Sequence, residues 1–67
     1  MFGNTTAYQK EFLDLWQTQV FEMAAMNVEQ SRIAELSVNK ASEIMMRKHG
    51  LSMPEMVRII ESSMKSL

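Results

Sequence analysis

The sequence predicts an all-α fold: one long amphipathic helix over about 6–49, a Gly-Leu-Ser elbow at 50–52 and a short C-terminal helix over about 53–66. Three observations predict it. Ala7 to Lys48 contains no Gly and no Pro, the two residues that most often interrupt a helix. The apolar residues of that stretch keep one helical phase throughout. The run Leu51-Ser52-Met53-Pro54-Glu55 carries the chemistry of a helix start immediately after Gly50, the chemistry of a helix end.

The whole chain, 1–67, reads as a single helical-hairpin-like domain with residues 1–5 as a lead-in. Asn4, Thr5 and Thr6 have side-chain oxygens that can accept from the free N–H groups of a first turn. Thr6 with Gln9 has the spacing of a capping box.

Along the long segment, a rotation of 100° per residue gathers Tyr8, Phe12, Leu15, Trp16, Val20, Met23, Met26, Ile33, Ala34, Val38, Ala41, Ile44 and Met45 into an arc of roughly 140°, with Leu13 at its edge. Most of the charges fall opposite. Asn27 to Arg32 is polar enough for a turn, but the phase of Phe12, Trp16 and Met23 matches that of Ile33, Val38 and Met45 across it. A continuous helix is therefore predicted, about 63 Å long. Asn27 and Gln30 lie on its apolar side, where a polar pair can set the register between helices.

At the elbow, Gly50 can take the left-handed backbone that closes a helix, and Arg47, Lys48 and His49 stand where the helix dipole favours cations. Ser52 and Glu55 form a capping box, Pro54 fits the first turn, and Leu51 can staple to Met56. In the second helix Met53, Met56, Val57, Ile60, Met64 and Leu67 share one face, while Ile59 falls outside it. Met45, Leu51, Met53, Met56 and Ile60 are expected to pack the elbow.

A helix of about 14 residues spans roughly 20 Å and could cover only the last third of a 63 Å rod. The remaining apolar face would need another chain. Tyr8, Phe12, Leu13, Leu15, Trp16, Val20, Met23, Met26, Ile33 and Val38 are the expected protein interface, with Trp16 its centre. Phe21, Val28, Leu36 and Met46 lie on the charged side and are candidates for a second contact surface, so the long helix is expected to sit in a bundle with other chains.

Catalysis finds little support. The chain has one His and no Cys. His49 sits at a helix end, and no Glu-x-x-His pair suggests a di-metal site. No enzymatic activity, metal, cofactor or small-molecule substrate is expected. Residues 1–35 carry a net charge of −3 and residues 36–67 a net +2, giving −1 in all. That polarity suits helix dipoles or pairing of acidic with basic ends. Met residues number eight, and four of them cluster at the elbow, where pliable side chains fill gaps or meet variable partners.

The predicted role is a non-enzymatic helical assembly protein or accessory subunit that oligomerises or docks on a larger complex, with cytoplasmic residence. No signal-peptide pattern, myristoylation site or spanning run is evident. Two alternatives stand beside it. The stretch Phe12-Leu13-Asp14-Leu15-Trp16-Gln17 through Met23-Ala24-Ala25-Met26-Asn27 resembles the amphipathic helices of phasins, coat proteins of polyester storage granules, over about a third of the chain. That resemblance implies binding to a lipid or granule surface. The second alternative is a small DNA-binding regulator, because Ala41 to Ile60 has the outline of a helix-turn-helix. Its second helix opens on Glu55 and offers only Arg58 and Lys65 as cations, so nucleic acid is the least expected partner.

Overall fold

The computed structural model describes residues 5–65, and among them three α-helices: α1 Thr5–Ala25, α2 Gln30–His49 and α3 Met53–Lys65. The expected continuous helix over 6–49 is thus corrected to two helices that fold back on each other. The longest dimension of the molecule, 40 Å, is too short for a 63 Å rod. Its radius of gyration of 12.0 Å is close to the roughly 11 Å of a compact chain this long.

The break is made by one residue. Asn27 has φ of 61°, the left-handed conformation that Asn tolerates better than other side-chain-bearing residues. Around it the Asn27 N–H donates to the Ala24 carbonyl at 3.1 Å and the Val28 N–H to the Met23 carbonyl at 3.0 Å. These are the two bonds of a Schellman helix end, which satisfy carbonyls that the helix would otherwise leave free. Gly50, with φ of 64°, closes α2 with the same left-handed backbone; its N–H and that of Leu51, the latter at 3.2 Å, both donate to the Met46 carbonyl. At the other side of the first turn, Glu29 precedes α2 without a side-chain cap bond. Asn27 and Gln30 are both exposed, outside the core that the three helices share.

The start of α3 is held by local chemistry. The Ser52 N–H donates to Glu55 Oε1 at 2.9 Å, and the Glu55 N–H donates to Ser52 Oγ at 3.4 Å. This reciprocal pair satisfies two donors that have no partner within the helix. The Ser52 N–H, and after it the Ser52 hydroxyl, which donates to the same Oε1 at 2.9 Å, hold the Glu55 carboxyl below the ordinary glutamate range. At the N-terminus, Thr5 and Thr6 are already helical, so Thr6 is not the cap. Asn4 and the rest of residues 1–4 lie outside the described residues, as do Ser66 and Leu67.

The core sits where the three helices meet. Phe12, Ala41, Met45, Met56 and Ile59 are buried, with Tyr8, Leu13, Leu15, Trp16, Val38, Met46, Leu51 and Ile60 packed around them. Ser37, Ser42 and Ser63 are buried among these larger groups. The Ser42 and Ser63 hydroxyls donate to the carbonyls of Val38 and Ile59, both at 2.7 Å. Their small size lets helices approach, and the back-bonds remove the cost of burying a hydroxyl. Among the described residues no buried side-chain nitrogen or oxygen lacks a partner.

Candidate interaction surface

Two polar ties orient the helices and decide which apolar side chains remain outside. The Trp16 indole N–H donates to Ser37 Oγ at 2.8 Å, and the Ser37 hydroxyl donates to the Ala34 carbonyl at 3.0 Å. The Trp16 ring lies 6.4 Å from Phe12, nearly parallel to it. Near the opposite end of α1, Glu11 receives Lys48 Nζ at 2.9 Å and lies 3.0 Å from His49 Nε2. The His49 ring also rests 4.9 Å from Tyr8. The Lys48 hydrogen bond, and after it the contact with His49, hold the Glu11 carboxyl below the usual glutamate range against the opposing effect of burial. The acidic first half and basic second half of the sequence therefore meet at this point within one chain. Lys48, at the end of the charge pattern, and Glu11 are what join them.

Much of the expected intermolecular interface is used internally. Phe12 has no exposed surface and is a core residue rather than a docking one. Tyr8, Leu13, Leu15, Trp16 and Val38 are half-buried against that core. Val20, Met23 and Ile33 are half-buried, and Met26 is open to solvent. The reason is the Asn27 turn: it lays α2 along α1, and α3 then packs on both. Of the expected second surface, Phe21 is exposed, Val28 and Leu36 are half-buried, and Met46 packs against the core. Of the expected elbow set, Met45 and Met56 are buried and Leu51 and Ile60 half-buried, but Met53 is 65% exposed and is corrected to a surface residue.

Two apolar areas result. One is the C-terminal half of α1 with the turn after it, where Phe21 is 76% and Met26 71% exposed. Open grooves flank them: one of about 520 Å³ lined by Gln19, Glu22, Met23, Ala25, Met26 and Lys40, and one of about 350 Å³ lined by Trp16, Gln17, Val20 and Phe21. The other is α3. At 100° per residue its apolar arc spans about 160°, from Ile59 through Met56 and Ile60 to Val57. Only one edge of that arc is covered. Ile59, Ser63 and Met56 are buried, Ile60 is half-buried, and Met53, Met64 and Val57 are exposed. By phase alone Ile59 falls outside the stripe that Met53, Met56, Val57, Ile60 and Met64 share. It is instead a core residue, because α3 meets α1 and α2 with the edge of its arc rather than the middle.

Both areas offer apolar contact. Among the described residues no three His, Cys, Asp or Glu side chains come together as metal ligands, and no helix is long and apolar enough to cross a membrane. No protein-family model, curated protein or solved structure matches this chain.

Proposed function

We propose that the chain is a small helical docking module, acting as an assembly protein or accessory subunit whose contacts are apolar side chains left outside its own core. The observation that carries this reading is the exposure of Phe21, Met26 and Met53 while Phe12, Met45, Met56 and Ile59 fill the interior. Full burial of a Phe or Met side chain contributes about 1.5–3 kcal/mol. A chain that leaves three of them in water gains from a partner that covers them. Solitary exposed apolar residues are common on soluble proteins; here they flank grooves on α1 and form a stripe on α3.

A lipid or granule surface is the second reading, supported by the same apolar side chains. The carboxylates Glu22 and Glu61 beside them argue against an anionic membrane. DNA binding gains no support, since the open face of α3 presents Met53, Val57 and Met64.

Photo-crosslinking side chains placed at positions 21 and 57 of the full chain, in the cells that express it, test the docking reading. Adducts of defined protein mass are expected at one or both positions and none at exposed Glu35. Absence of protein adducts at both 21 and 57, or adducts with lipid alone, overturns it.

A further inference from the structure

We infer that the open edge of α3 is the seam of a homodimer, in which α3 pairs antiparallel with α3 of a second copy of this chain. The inference rests on the docking reading and names its occupant. Its first ground is spacing. Met53, Val57, Ile60 and Met64 are separated by four, three and four residues, the alternation that places apolar side chains along a seam between two helices. A flat lipid surface calls for a wide uncovered arc, whereas the exposed apolar side chains of α3, Met53, Met64 and Val57, span only about 40°.

The second ground is charge. Beyond Val57 the open rim of α3 is formed by Glu61, then Lys65 and Arg58. An antiparallel pair that sets Met53 opposite Met64 of the second copy, and Val57 opposite Ile60, brings Glu61 within about 3 Å, along the helix axis, of the level of the second copy's Arg58. The two-fold symmetry repeats each contact, so one register supplies four apolar cross-pairs and two opposite-charge pairs. The acid and base that frame the seam thus suit this chain itself.

The third ground is size. A contact built on a helix of 13 residues, roughly 20 Å long, belongs with small interfaces that bury less than about 1,200 Å² and exchange readily. The dimer is therefore expected to exchange with monomer as concentration changes.

Sedimentation equilibrium of the full chain between about 10 μM and 1 mM covers the range in which such an interface fills. The weight-average mass should climb from 7.7 kDa towards twice that value. Val57→Lys should hold it at the monomer mass, and Phe21→Lys should leave the climb unchanged. Arg58→Glu and Glu61→Arg should each weaken association about tenfold. An equimolar mixture of these two variants should restore it, because each carries the charge the other lacks. All four positions are exposed, and far-UV circular dichroism checks that each variant stays folded. A wild-type mass fixed at 7.7 kDa overturns the inference, as do equal effects of the Val57 and Phe21 substitutions or a mixture that fails to associate. A wild-type monomer whose position-57 crosslinker captures a different protein removes the homodimer and leaves the docking reading standing.

Discussion

Breaking the hydrogen bond between Trp16 and Ser37 is expected to weaken the fold by more than the bond's own net value. Ser37 has no exposed surface, and its oxygen both accepts from the Trp16 indole at 2.8 Å and donates to the Ala34 carbonyl at 3.0 Å. In Ser37→Ala the indole N–H loses its partner at the α1–α2 interface. An unpaired buried donor costs about 1–3 kcal/mol. The removed hydroxyl leaves a methyl-sized group in nearly the same space, so the cavity contribution is small. In a domain of this size each kcal/mol moves the melting midpoint by about 4–8 °C, so Ser37→Ala should lower it by roughly 10 °C. Trp16→Phe removes the donor itself and keeps the ring stacked near Phe12; it should cost packing area but leave no unpaired N–H. The double variant should then be more stable than the two separate losses imply, with a coupling of about 1 kcal/mol. Urea unfolding followed by circular dichroism at 222 nm measures all four corners of the cycle without relying on Trp fluorescence. A coupling within about 0.3 kcal/mol of zero, the usual scatter for independent sites, refutes the claim that this bond ties α1 to α2.

Asn27→Ala should destabilise the chain by about 1 kcal/mol, because Ala lacks the short polar side chain that lets Asn tolerate the left-handed backbone, while Asn27→Gly, with no Cβ, should be neutral or slightly stabilising; chemical denaturation of the pair decides. Ser52→Ala should cost about 1 kcal/mol by removing the N-cap of α3, and Ser52→Asp should recover most of it, read from thermal midpoints. Because the folded-state pKa of Glu11 is depressed, its contribution is present above the unfolded value near 4.3 and is lost as pH falls through the folded pKa. Glu11→Gln should therefore flatten the fall of stability below about pH 4.3, seen in melting curves across acid pH, and at pH 7 should cost no more than about 1 kcal/mol, as expected for a largely solvated pair.

What the sequence revealed divides by the range of the chemistry involved. The elbow was legible because Gly50, Ser52, Pro54 and Glu55 act on neighbours three or four residues away, and α3 begins at Met53 as that pattern implied. Phe12, Met45 and Met56 were legible as apolar-face residues, though whether their cover came from the same chain depended on the first turn. That turn was hidden. It needs one left-handed Asn, the cap before α2 uses no side chain, and Glu29 gives no sequence signal of its own. The matching phase of Phe12 and Met45 was misleading, since each helix needs only its own stripe and nothing penalises two stripes that happen to align across a loop. The choice of inner edge on α3 was hidden for another reason. Periodicity gives the centre of an apolar arc, whereas packing on two helices at once selected the edge with Ile59 and Ser63 and turned Met53 and Val57 outward.

The Asn27 turn also decides that α1 and α2 pair within one chain. The Trp16–Ser37 and Glu11–Lys48 bonds both cross from α1 to α2. None of them requires that the two helices belong to one chain. Only the short span between Ala25 and Gln30 enforces that. If Asn27 straightened, α1 of one molecule could lie on α2 of another with the same bonds and the same core, at the cost of one turn. A left-handed asparagine is therefore what keeps the pairing of these two helices within a single chain.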